Sequence, residues 1–138
     1  MMKKVFLAAA ALLVLTGCAA RRPEDELSLA RERIEKYLFN EESLTQSEMN
    51  ILSSYMLRLA AMECYLVEYR IWNKPGYRKI EKQFIADCEL WNKKLEEEKR
   101  KPSEFAGGSR EPMDRNVRMT DFLQKRIDEL KTEWLAKP

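Results

Sequence analysis

Four stretches of the chain repeat apolar residues at helical spacing, and none shows the alternation of a strand. In the first, Leu27, Ala30, Ile34 and Leu38 recur behind Pro23 and the acids Glu24, Asp25 and Glu26, which predicts a short amphipathic helix over Pro23–Phe39. The second opens at Thr45, placed before Glu48 as in a capping box, and runs to about Asn73. It carries two stripes side by side: Leu52, Tyr55, Leu59, Met62, Leu66 and Tyr69, then Met56, Ala60, Cys64, Val67 and Ile71. Two stripes need neighbours on two sides, so this helix is expected at the centre of the domain.

Lys74-Pro75-Gly76 stops that helix and turns the chain. The third helix, Tyr77 to about Lys101, has the stripe Tyr77, Ile80, Phe84, Cys88, Trp91 and Leu95. Cys64 and Cys88 are each 12 residues from Gly76, at the same height on two antiparallel helices and inside stripes expected to face each other. This predicts a disulfide, whose loop closure would stabilise the domain by about 3 to 4 kcal/mol. The alternative is two buried free thiols in a helix seam. Pro102 to Pro112 breaks the pattern, and a last helix starts at Pro112 or Met113 with Met119, Leu123, Ile127, Leu130 and Trp134. The expected fold class is all-α: a small bundle of three long helices plus a short N-terminal one, residues 23–138, with the central hairpin clipped by a disulfide.

Ahead of this domain, Lys3 and Lys4 precede an apolar run of 11 residues, Val5 to Leu15. As a helix the run covers about 16 Å, half a bilayer core, so it reads as the apolar part of a signal peptide, residues 1–17. Leu15-Thr16-Gly17-Cys18 then resembles the lipobox of bacterial lipoproteins. The resemblance implies cleavage before Cys18, acyl chains including palmitate on that residue, and a lipidated tether over 18–22. It also implies, from Ala19 after the cysteine, the inner leaflet of the outer membrane, facing the periplasm. With Cys18 assigned, the three cysteines leave Cys64 and Cys88 as an even pair in an oxidising compartment.

Composition narrows the chemistry. The chain has no His, which removes Ser-His-Asp and Cys-His catalysis and His-ligated zinc, and Cys64 and Cys88 lie 24 positions apart with no His to support a metal site. No catalytic constellation, metal site or cofactor is expected, and the chain is not expected to be an enzyme. The formal charge of +2 disappears when Lys3 and Lys4 leave with the signal peptide, because 23 basic and 23 acidic residues remain. The argument for an anionic partner goes with it, and no basic stripe with interleaved aromatics points to nucleic acid. Glu96 to Lys101, acids before bases, reads as a solvated helix end. Trp91 and Trp134 fall on apolar stripes and are expected in the core, whereas Trp72, at the hairpin tip, is a candidate contact.

The remaining candidate is the proline-flanked loop with Ser103, Glu104, Gly107, Gly108, Ser109 and Glu111, which is either a connector that reverses the chain or a stiffened segment that presents side chains to a partner at low ordering cost. Trp91, Gly107-Gly108-Ser109, Pro112-Met113 and Arg126-Ile127-Asp128-Glu129-Leu130 together resemble the LprI-type family of small bacterial envelope proteins, some of which are lysozyme inhibitors. Where that family carries two further cysteines, this chain has Lys99 and Arg118. The resemblance implies occlusion of a basic lysozyme cleft by the loop, with Glu104 or Glu111 as the acid. Two partners are therefore expected: the membrane through lipid on Cys18, and a protein. That protein is either a lysozyme-like enzyme or a component of an envelope, secretion or cell-wall assembly for which this chain is the adaptor.

Overall fold

The computed structural model describes residues 21–41 and 43–138; the signal segment and Cys18 lie outside them. All regular elements among the described residues are helical: α1 (Pro23–Asn40), α2 (Gln46–Trp72), α3 (Tyr77–Arg100), α4 (Glu111–Glu129) and a π-helical turn, Leu130–Leu135, that continues α4. None is long and apolar enough to cross a membrane.

Local chemistry sets the boundaries. At the start of α2 the Thr45 hydroxyl accepts the Glu48 N–H at 3.2 Å, while the Thr45 N–H donates to the Glu48 carboxylate at 2.8 Å. These bonds hold the Glu48 carboxyl below its ordinary pKa. Gly76 sits at φ +80°, a conformation that favours glycine, and leads directly into α3. Pro occupies the first turn of both α1 and α4, where a missing N–H costs nothing. The N-terminal helix is longer than its description as short implies: it has 18 residues against 19 in α4.

The centre of the bundle is α2, packed against α1 on one side and α4 on the other. Ala60, Cys64, Val67 and Ile71 from α2 join Phe84, Leu123, Ile127 and Leu130 in one core cluster. A second cluster unites Leu38, Leu52, Met56 and Met113. The α2 stripe through Met56 and Ile71 is buried as expected, but the stripe through Met62 and Tyr69 divides. Leu52 is buried, while Met62 is 54% and Tyr69 50% exposed. The burial that the pattern assigned to them is taken by Glu63 and Ser53, both at 0% exposure.

The expected disulfide is not formed. Cys64 and Cys88 are free thiols with no pair at disulfide distance. Equal offsets from Gly76 put them at one height, yet α3 approaches the α2 backbone at few points. Phe84, wholly buried, and residues of α4 fill the space between the two helices. Arg126 of α4 also donates to the Cys88 Sγ at 3.6 Å. Burial, reinforced by Glu68 and opposed by Arg126, pushes the Cys64 thiol up to about 12, and burial raises Cys88 as well.

Candidate functional site

Three surfaces hold the residues singled out by sequence: the loop between α3 and α4, the outer face of α2, and the tip where α2 turns into α3.

The loop is a folded cap that ties several of its polar groups back to the chain, although most of its residues are exposed. Ser103, 6% exposed, donates from its hydroxyl to Asp114 Oδ2 at 2.5 Å and accepts the Phe105 N–H at 3.1 Å. Gly107, at φ +78°, donates its N–H to Glu111 at 2.7 Å, and the same carboxylate pairs with Arg115. The Gly108 N–H donates to the Phe105 carbonyl at 2.9 Å, and a side chain at Gly108 would press on that carbonyl at 3.2 Å. Asn50 of α2 donates to the Ser109 carbonyl at 2.9 Å, and the Arg110 guanidinium lies 4.4 Å from the centre of the Phe105 ring. Of the candidate contacts here, Ser103 and Glu111 are thus engaged within the chain, while Glu104 stands exposed.

Sequence reasoning missed Asn50 as a clamp on this loop and met Arg118 only as the position where the resembled family carries a cysteine. Arg118 donates to the carbonyls of Lys101 and Pro102 at 3.0 and 3.2 Å and faces Glu98 at 3.5 Å. No local pattern announces Arg118 or Asn50; only the arrangement of the three helices makes them neighbours of the loop.

The outer face of α2 is different. Arg58, Met62, Tyr65, Tyr69 and Trp72 follow one another along the solvent side, and Tyr65 is 59% exposed. Solvent-facing helix stripes are normally polar, whereas four of the five positions in this one are apolar or aromatic. Tyr65 was absent from both stripes read in the sequence. Its phase with Met62, Tyr69 and Trp72 was the available signal, a third apolar row on a helix with only two well-packed neighbours.

At the tip, Trp72 is 45% exposed. The neighbouring Lys74 turns inward and donates from Nζ to the carbonyls of Trp134 and Lys137, tying the π turn to the hairpin. Trp134 meets Phe84 edge to face with ring centres 5.1 Å apart, and Trp91 stacks on Phe122 at 5.9 Å. Both residues are half-buried against the core, on the stripes that predicted them.

Between these surfaces the bundle interior holds charge. Glu63 lies 3.1 Å from Lys131 Nζ and 3.8 Å from Arg31 Nε. The second distance gives attraction without a hydrogen bond, so Glu63 Oε2 and Arg31 Nε have no hydrogen-bond partner. Glu24 pairs with Arg70, and Arg126, 2% exposed, pairs with Asp87 at 2.7 Å over the Trp91 ring. These contacts set α1 antiparallel to α2 and hold α3 against α4. Among the described residues no group of three His, Cys, Asp or Glu is placed to hold a metal ion.

A search of curated proteins gave no match, and neither did a search of solved structures. Residues 2–19 match the family described as the prokaryotic membrane lipoprotein lipid attachment site, and the match supports a bacterial lipoprotein held at the membrane by its lipid.

Proposed function

We propose that the chain is an envelope adaptor: a lipoprotein acylated on Cys18, placed in the inner leaflet of the outer membrane, that binds a protein partner through the outer face of α2. The observation that carries this reading is the row Met62, Tyr65 and Tyr69, each at least half exposed on a helix whose other faces are packed. Aromatic side chains on a rigid helix supply contact area at little entropic cost. The reading involves no bond-making step and needs no cofactor. A photo-crosslinking amino acid placed at Tyr65 or Tyr69 in cells that make the protein is expected to give one and the same discrete adduct from both positions. Placed at Lys82, exposed on α3, it is expected to give none. Absence of an adduct at all three positions overturns the proposal.

A second reading, occlusion of a lysozyme cleft, draws on the exposed Glu104 and on a loop held in one shape by Asn50, Asp114 and Arg118. Arg118, where the LprI-type family carries a cysteine, fastens the loop to the end of α3 by hydrogen bonds and so replaces a covalent brace. Inhibition of lysozyme by the purified protein, lost in Glu104→Gln, is the expected result. Activity unchanged at high micromolar protein removes this reading for the lysozyme used.

A further inference from the structure

The mature chain has no net charge by sequence, but its charges are not evenly placed. The ten residues from Arg70 to Lys79 contain four basic side chains, Arg70, Lys74, Arg78 and Lys79, and no acid. Arg70 is committed to Glu24, and Lys74 to the carbonyls of Trp134 and Lys137. Those same contacts bring the start of α1 and the end of the chain to the hairpin tip. Exposed Arg21, Arg22 and Lys137 therefore stand at the same end as exposed Arg78 and Lys79, with Trp72 among them. Asp25, Glu81 and Glu133 are the exposed acids there, fewer than the cations. The opposite end interleaves Glu96, Glu97 and Glu104 with Lys99, Arg100, Lys101 and Arg110.

The tether selects between the ends. Cys18 to Pro23 is five residue steps, a reach of at most about 17 Å when fully extended. Helix α2, with 27 residues, is about 40 Å long, so that leash cannot seat the loop end on the bilayer with the hairpin end raised while α1 stays packed. We infer that the hairpin tip seats on the bilayer that holds the lipid: Arg21, Arg22, Arg78, Lys79 and Lys137 meet anionic phospholipid headgroups and Trp72 enters the interface. A tryptophan flanked by cations is the combination that suits the boundary between headgroups and acyl chains, and each juxtamembrane cation adds to the attraction of an anionic surface. Docking of this kind stands α2 up from the membrane and offers Met62, Tyr65 and Tyr69 sideways to a partner. It rests on acylation at Cys18.

The full lipidated protein, reconstituted into vesicles of phosphatidylethanolamine and phosphatidylglycerol, tests this with two readouts. Co-flotation with the vesicles reports the anchor, and quenching of tryptophan emission by brominated acyl chains reports docking of the tip. The expected result is flotation together with a quenched component that Trp72→Phe removes. In Arg78→Glu/Lys79→Glu, flotation is expected to persist while the docked-to-free ratio falls roughly tenfold or more, as it should in vesicles lacking phosphatidylglycerol. Flotation with Trp72 unquenched overturns the docking and leaves the anchor standing. Loss of flotation in the native protein overturns both. Quenching that survives the double charge reversal and the neutral vesicles overturns the role of anionic headgroups.

Discussion

The two ends of the bundle hold themselves together by different means and leave different surfaces behind. At the loop end, neutral hydroxyl and amide groups bond to backbone and to acids on helix starts, Ser103 with Asp114, Asn50 with Ser109 and Thr45 with Glu48, and the ion pairs there, Arg115 with Glu111 and Arg118 with Glu98, lie nearer the surface. Their polar capacity is used, and the outside is a mixture of both charges. Toward the hairpin end, the fastening is ionic and internal, through Glu24 with Arg70 and Glu63 with Arg31 and Lys131. With charges spent inside, exposed apolar residues such as Tyr69 and Trp72 remain on the surface. The buried ion pairs beside these aromatics add little net stability compared with apolar packing, so the aromatic surface left outside is apolar area the fold does not use.

Because its charge is buried, Glu63 with its partners is the most sensitive point in the molecule. Glu63→Ala leaves Lys131 without its acid and Arg31 with only the 3.9 Å pair to Glu35, and is expected to cost about 3 kcal/mol in urea unfolding, because breaking one side of a buried pair strands the other. Cys64 gives the next effect through pH. Its folded pKa, pushed up to about 12 by burial, lies above that of an unfolded thiol near 9, so its contribution is complete below pH 9 and is lost as pH rises toward 12. The decline is expected to run from about pH 9 to pH 12, and Cys64→Ala should flatten it relative to the native protein. Intact mass after alkylation in denaturant without reductant is expected to show both Cys64 and Cys88 labelled, with neither labelled rapidly in the folded state.

At the loop end the expected changes are smaller. Ser103→Ala removes a donor from Asp114 and an acceptor from the Phe105 N–H, for an expected loss of about 1 to 2 kcal/mol. Partner crosslinking through Tyr65 should be unaffected. A loss as large as that of Glu63→Ala would mean that the two ends are fastened alike, and the comparison would fall.

Boundaries were the most legible part of this fold, because caps and breakers are local chemistry. Thr45 with Glu48, Pro75-Gly76 and Pro112 place helix ends within a residue or two of where they lie. Burial was legible only where apolar residues do the burying. Glu63 was invisible because its partners stand far away in the chain, Lys131 by 68 positions. With Glu63 unrecognised as interior, Met62 and Tyr69 were assigned places in a core that does not extend to them. The cysteine pair failed for a related reason: register along two helices says how high each residue stands, but Phe84 and Arg126 decide how far apart the helices are. The loop was recognised from Gly107 and Gly108, while its clamps Asn50 and Arg118 come from other elements and leave no local trace.

The smallest effect on stability should accompany the largest effect on binding. Tyr69→Ser and Tyr65→Ser replace side chains that are half or more exposed, so each is expected to shift unfolding by no more than about 0.5 kcal/mol. Truncation of a binding aromatic can nevertheless remove 2 kcal/mol or more of affinity, a loss of roughly thirtyfold. The paired measurement, unfolding of the purified variant and crosslinking from a probe at the other tyrosine, separates the two roles. If Tyr69→Ser unfolds the protein, its ring belongs to the core and the outer face of α2 is not a contact surface. If stability holds and the adduct from Tyr65 disappears, the aromatic row is maintained for what it touches outside the chain, and the internal charges near it are what let the fold dispense with it.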